Sequence, residues 1–298
     1  MMRRPPAILT MLVPLSLTGC LLARPAPARV GDLALDLAGR RVAIESASGS
    51  TLAAWMIEGS AGCGAMLLLH GVGDNRLAML PRARFLQRAG FAILMPDFQA
   101  HGESSGEHIT FGDRERLDAR AALAFLRRAV PEERVGIIGV SMGGAALLAG
   151  RDTTRADAVV LESVYPTIGL AVEHRFAVWL GPAGDLAPLL ARVTLGLAAP
   201  RVGVDPSALR PIDRIASLSA PMLILGGATD PYTPPSETRA LFARAAAGSE
   251  LWIVDGAGHD DLYAFDAPRY EARVGRFLAS HLQAGRCTVR PNTATMAR

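Results

Sequence analysis

Six short apolar runs, at residues 65–69, 91–95, 135–138, 158–161, 222–225 and 251–254, set the strongest limit on how this chain folds. None alternates apolar with polar residues. A strand that is apolar on both faces must be covered on both faces, which is the situation of a parallel sheet flanked by helices. Helical patterns separate the runs: Leu117, Ala121, Ala124 and Phe125 share one face, and Tyr270, Val274, Phe277 and Leu278 share another, with Gly285 as a stop. Ahead of them, Val42, Ala43 and Ile44 and residues 52–57 flank a turn cluster around Gly49, the pattern of an antiparallel hairpin at the start of the sheet. This rhythm predicts a doubly wound α/β domain with functional loops at the carboxyl ends of its strands.

Residues 166–211 interrupt the alternation with a segment longer than an ordinary connection. Leu186, Leu189, Leu190, Val193 and Leu197 form an apolar stripe there, preceded by Phe176, Val178, Trp179 and Leu180. We read a short helical cap over the sheet's functional edge, with Phe176, Trp179, Leu186 and Leu190 as substrate contacts. The alternative is a helical hairpin that only packs against the body.

Gly139-Val140-Ser141-Met142-Gly143 follows one apolar run directly and precedes the small residues Gly144-Ala145-Ala146. That is the layout of a nucleophile elbow, in which a serine stands on a sharp strand-to-helix turn and glycines remove the β-carbons that would crowd it. The partners follow in the chain order such a site needs: Ser141, then Asp230 after the 222–225 run, then His259 in the Gly256-Ala257-Gly258-His259 loop. His259 is the expected general base and Asp230 its orienting carboxylate. Asp255, Asp260, Asp261 and Glu162 are the competing acids. Two backbone amides aimed at one point complete acyl-transfer chemistry. They are expected from Met142 and from Val72 in the His70-Gly71-Val72-Gly73-Asp74-Asn75 loop, with His70 as a brace. His101 and His108 lack a third convergent ligand, and no phosphate loop or dinucleotide fingerprint occurs. Neither a metal nor another cofactor is expected.

The first residues address location rather than fold. Arg3-Arg4, the apolar stretch to Leu15 and Leu17-Thr18-Gly19-Cys20 resemble a bacterial lipoprotein signal peptide over 1–19, with Cys20 as the lipidated new N-terminus. An ordinary signal peptide with an incidental cysteine is the alternative. Leu21 after Cys20 implies, by the same resemblance, sorting to an outer membrane. Residues 20–39 then read as an anchored linker, with Pro25 and Pro27 giving a semi-extended spacer. The formal charge of +3 includes Arg3 and Arg4, the only charges before Cys20, so the body carries +1, which argues against a nucleic-acid partner. Cys63 and Cys287 either pair in an oxidising compartment or stay free.

Taken together, His70-Gly71, Asp97 with His101-Gly102-Glu103-Ser104, the Ser141 pentapeptide, Asp230 and Gly258-His259 resemble the α/β-hydrolase superfamily. Within it the chain is similar to the serine aminopeptidase and monoacylglycerol lipase group, although Ala100 stands where that pattern has glycine. The resemblance implies an α/β-hydrolase fold over 40–285, with a mostly parallel sheet, helices on both faces and a cap, followed by a tail at 286–298. It also implies a serine hydrolase. The substrate expected is a small-molecule ester, with a peptidase or amidase, or a non-catalytic anchored binding protein, as alternatives.

Overall fold

A computed structural model describes residues 23–32, 37–150, 156–259, 261–283 and 287. The segment 1–19, Cys20, Asp260, Gly285 and most of the tail lie outside the described residues. β1 (Gly39–Glu45) and β2 (Thr51–Ile57) form the expected antiparallel hairpin, with Ala43 opposite Ala53. β3 (Ala65–Leu69), β4 (Ala92–Pro96), β5 (Val135–Val140), β6 (Ala158–Glu162), β7 (Met222–Gly227) and β8 (Glu250–Val254) complete an eight-stranded sheet. Its order is β1-β2-β4-β3-β5-β6-β7-β8, parallel from β4 onward. Every apolar run is a strand.

The missing polar alternation has a direct cause. In β3, Ala65, Leu67 and Leu69 enter the core on one face while Met66 and Leu68 enter the core on the other, and β6 and β7 divide in the same way. Helix α1 (Leu80–Arg88) belongs to the second face through Ala83, Phe85 and Leu86. Helices α2 (Glu115–Ala129) and α3 (Met142–Ala149) cover the first face. Each fully buried leucine or isoleucine contributes about 1.5–3 kcal/mol, so stacking on both faces drives the fold.

On α2 the buried face differs from the one expected. Ala119, Ala122, Leu123 and Leu126 are buried with Glu115 and Asp118, while Leu117, Ala121 and Phe125 are only partly covered and Ala124 is exposed. The acids set the helix rotation. Glu115 accepts hydrogen bonds from the backbone of Thr110 and Gly112 and from Gln99, and Asp118 accepts from Ser46, Ser48 and the Gln99 backbone. Turning the helix would strand these buried donors.

Between β6 and β7 run α4 (Ile168–Leu180), a 3-10 turn and α5 (Ala187–Val202). The apolar stripe read on α5 does not face inward: Ala187, Ala191, Thr194, Ala198 and Ala199 are buried, whereas Leu186 and Leu189 are exposed. Small residues let α5 approach α4, and that close approach turns the leucines out. After β7 come α6 (Pro235–Phe242), α7 (Leu262–Phe265) and α8 (Ala267–Leu282). Tyr270, Val274, Phe277 and Leu278 of α8 are all buried on the second face, as the periodicity predicts. Cys63 and Cys287 are joined in a disulfide across 224 positions, which fastens the segment after α8 to the loop before β3.

The chain leaves β3 to one side for β4 and to the other for β5, so the topological switch point lies between β3 and β5. Ligands of open α/β sheets bind outside the carboxyl ends of the strands at such a point. The loops that start at His70 and at Ser141 stand there.

Candidate active site

Ser141 joins the last residue of β5 to the first of α3 at φ 48° and ψ −113°, a conformation that L-residues adopt only under strain. The turn is held from both sides. The Ser141 N–H donates to Glu162 O at 2.8 Å, and α3 begins so close to β3 that a β-carbon at Gly143 would stand 2.5 Å from Leu69 O. Met142 opens α3, so its N–H belongs to the first turn, where no intrahelical carbonyl is available.

Asp230 and His259 come together from the loops after β7 and β8. The β-carbon missing from Gly227 would overlap Gly258 O, and its absence lets the two loops meet. His259 Nδ1–H donates to Asp230 Oδ2 at 2.7 Å, and Thr233 Oγ1 donates to the same oxygen at 2.6 Å. Asp230 Oδ1 accepts the N–H groups of Tyr232 and Thr233, both at 2.8 Å. Burial alone would raise this carboxyl, yet the hydrogen bonds from His259 and Thr233 hold it below the usual carboxylate range. With its proton on Nδ1, His259 keeps a lone pair on Nε2. Ser141 and His259 line one cavity of about 340 Å³.

The competing acids are otherwise engaged. Glu162 and Asp261 share Arg82: its Nη2 donates to Glu162 Oε2 and to Asp261 Oδ1, both at 2.6 Å. Asp255 is exposed, and Asp260 is outside the described residues.

Val72 sits in a loop pinned on both sides by buried histidines. His70 Nδ1–H donates to Gly71 O at 2.7 Å while its Nε2 accepts the Phe98 N–H, and His101 Nε2 accepts the Gly73 N–H at 3.1 Å. Burial takes the His70 imidazole down to about 3, helped by neighbouring His101, and burial also lowers His101. Both rings therefore remain neutral braces. Below them Asp97 binds the Arg76 backbone and guanidinium, and Arg76 also pairs with Glu103. Among the described residues no cluster of three or more His, Cys, Asp or Glu side chains could hold a metal ion.

A second, apolar cavity of about 100 Å³ adjoins the first and is lined by Phe111, Met142, Tyr165, Ile168, Leu195 and Ala198 among others. Val72 and Arg175 line both cavities. The substrate contacts expected from the cap are corrected here. Phe176 is buried with Ala187 and Ala191 between the cap helices, with Leu190 packed against that cluster, while Trp179 and Leu186 are 57% and 54% exposed. None of the four lines either cavity. The cap presents Ile168, Ala171, Val172, Arg175, Thr194 and Leu195 instead, because its small-residue face is the inward one. Arg82, Ser163 and Arg175 were not singled out by sequence reasoning. An arginine within the helical apolar pattern of Phe85 and Leu86, and a serine directly after Glu162 at the end of β6, were the available signals.

Comparison with known proteins agrees with this architecture. Residues 66–274 match the model of the alpha/beta hydrolase family. An uncharacterized protein of Mycobacterium tuberculosis is 30% identical over 249 residues, covering 81% of this chain and 79% of the relative. The alpha/beta hydrolase domain-containing protein WAV2 of Arabidopsis thaliana is 29% identical over 224 residues, covering 72% of this chain and 68% of WAV2. A solved esterase from Pyrococcus furiosus superposes with a TM-score of 0.73 at 24% identity, over 88% of this chain and 98% of that one. The chain belongs to the alpha/beta hydrolase family.

Proposed function

We propose that this protein hydrolyses small-molecule carboxylic esters through an acyl-Ser141 intermediate. The observation that carries the reading is the hydrogen bond from His259 Nδ1 to buried Asp230, on the wall of the cavity that holds Ser141 in a strained turn. Ser141 Oγ attacks the ester carbonyl as its proton passes to His259 Nε2. The carbonyl oxygen, now negative, accepts hydrogen bonds from the amides of Val72 and Met142. Collapse breaks the bond to the alcohol oxygen, which leaves with the proton from Nε2, and a water repeats the sequence to release the acid and restore Ser141. Asp230 stays ionised throughout and stabilises the imidazolium. Neither cofactor nor metal takes part.

The apolar lining of the second cavity favours a short acyl chain there. Ser141→Ala is expected to abolish turnover of 4-nitrophenyl butyrate with the fold intact by circular dichroism. Retained turnover refutes the assignment. Location is part of the same reading: an envelope protein held on a membrane through lipidated Cys20, probed by fatty-acid labelling that Cys20→Ser removes. The disulfide supports export to an oxidising compartment. Among the described residues no helix is long and apolar enough to cross a membrane.

A further inference from the structure

On the wall of the Ser141 cavity, a buried hydroxyl has no hydrogen-bond partner and a partly buried guanidinium has no carboxylate partner among the described residues. Ser163 follows β6 at φ 48°, strained as Ser141 is, and is 5% exposed. Its Oγ has no hydrogen-bond partner among the described residues, and the residue lines the larger cavity. Holding a serine in that conformation with an unsatisfied buried hydroxyl is a cost that points to a ligand. Arg175, on α4, lines the same cavity from above. Its Nη1 donates to Ala171 O at 3.0 Å and its guanidinium lies 5.4 Å from the Tyr232 ring centroid, but no carboxylate pairs with it among the described residues.

The other arginine of that cavity shows what a satisfied guanidinium looks like. Arg82 is held by Glu162 and Asp261 and has no charge to spare for a substrate. Those two acids share the single charge of Arg82, and burial raises the carboxyl of Asp74, a further acid on the wall. Among the described residues Arg175 is thus the arginine of this cavity that no carboxylate holds.

We infer that Ser163 and Arg175 recognise an acidic oxygen group, a carboxylate or a phosphate, on the alcohol portion of the substrate ester. This rests on the ester-hydrolase reading and on its division of the two cavities. The apolar cavity takes the acyl chain, so the alcohol portion occupies the polar one, where the Arg175 fork matches two oxygens of the anion and the Ser163 hydroxyl donates to one of them.

The experiment compares four acetate esters of phenols that carry, at the para position, a carboxylate, a phosphate, a methyl ester or a trimethylammonium-methyl group. For wild type, kcat/KM for the acidic esters relative to the neutral one is expected to fall by about tenfold or more in Arg175→Gln, the scale of one charged hydrogen bond. Arg175→Glu is expected to reverse the preference toward the ammonium ester, which a merely structural role of Arg175 would not do. Ser163→Ala and Ser163→Gly are both expected to raise KM for the acidic esters more than they lower kcat; because glycine also relieves the backbone, agreement between the two assigns the effect to the hydroxyl. Whichever acid depends more on Arg175 identifies the group. Fluorophosphonate labelling of Ser141 checks that each variant is folded. Turnover of the neutral ester with an acid-to-neutral ratio that does not move in the Arg175 variants overturns this inference and leaves the hydrolase reading standing. Failure of wild type both to turn over any ester and to be labelled overturns the hydrolase reading and this inference with it.

Discussion

Asp230→Asn would expose how the position of one proton is set. Asp230 Oδ1 accepts two backbone N–H groups, from Tyr232 and Thr233, while Oδ2 faces His259 Nδ1 at 2.7 Å. An asparagine must keep its carbonyl oxygen at the Oδ1 position, because a flipped amide would strand two buried backbone donors at about 1–3 kcal/mol each. Its NH2 group then stands at Oδ2 and donates to Nδ1. That forces the ring proton onto Nε2, and an imidazole protonated there cannot take the Ser141 proton. Thr233 Oγ1, a donor to Oδ2 in the parent, turns to accept instead. The variant thus keeps its hydrogen bonds and loses its base. We expect kcat for 4-nitrophenyl acetate to fall about ten-thousandfold, or about 5.5 kcal/mol of barrier, with KM within about threefold. Fluorophosphonate labelling should slow in parallel, and the thermal midpoint should stay within about 5 °C. A kcat within about tenfold of wild type would refute the reasoning, because the carboxylate would then not set the tautomer of His259.

Three further outcomes are expected. Burial pushes the Asp118 carboxyl up from 3.8 to about 6 in spite of its three hydrogen bonds, so the folded chain holds this proton more tightly than the unfolded chain. Stability from this group is present below about pH 4 and is lost as pH rises to about 6, a change of about 3 kcal/mol. Asp118→Asn should match wild type in urea at pH 4 and exceed it by up to about 3 kcal/mol at pH 7.5; an equal difference at both pH values refutes this. Loss of the disulfide in Cys63→Ser/Cys287→Ser should lower the unfolding free energy by about 2–5 kcal/mol, since the bond closes a loop of 224 positions, and an unchanged denaturation midpoint would contradict it. In the cap, Trp179→Ala and Leu186→Ser should leave ester kinetics within about twofold, whereas Leu195→Trp should fill the apolar cavity and lower kcat/KM for butyrate about tenfold more than for acetate. The reverse pattern would restore the exposed leucine stripe as the substrate surface.

The sheet was legible because its signal is local: a strand covered on both faces must be apolar at successive positions, as Leu67, Leu68 and Leu69 show. Ser141, Asp230 and His259 were legible because strain and chain order constrain residue types at a few positions near strand ends. Helix faces were harder to read. The α2 face was misjudged because Glu115 and Asp118 are buried as acceptors, and a pattern that counts only apolar residues assigns them to solvent. The cap face was misjudged because helices that pack through alanine place their leucines outside, so hydrophobic size misleads where close approach decides. Arg82, Ser163 and Arg175 were hidden for a different reason. What marks each is the presence or absence of a partner, and that is a property of three-dimensional neighbours.

Arg82 shows why a buried ion pair belongs beside this cavity even though such pairs stabilise folds poorly. Its charge is opposed by burial, yet Glu162 and the neighbouring oxygens hold it well above the usual arginine range. Taking these charges out of water costs several kcal/mol per ion, which close pairing offsets only when every donor is placed. Here Nε donates to Glu162 Oε1 at 3.1 Å and to Tyr270 Oη at 3.2 Å, and Nη2 reaches Glu162 Oε2 and Asp261 Oδ1. The geometry has a second effect. Glu162 accepts the Ser141 N–H through its backbone carbonyl, and Asp261 lies two residues beyond His259, so a single guanidinium fastens the elbow to the histidine loop. An apolar side chain in place of Arg82 could fill the same volume, but it would leave Glu162 unpaired at 1% side-chain exposure and free the two loops to move independently. Breaking one member of a buried pair costs about 3–5 kcal/mol, against about 0–1 kcal/mol for a surface pair. The network is therefore stiff where the chemistry needs stiffness, because the loops that carry Ser141 and His259 are tied to one guanidinium through Glu162 and Asp261.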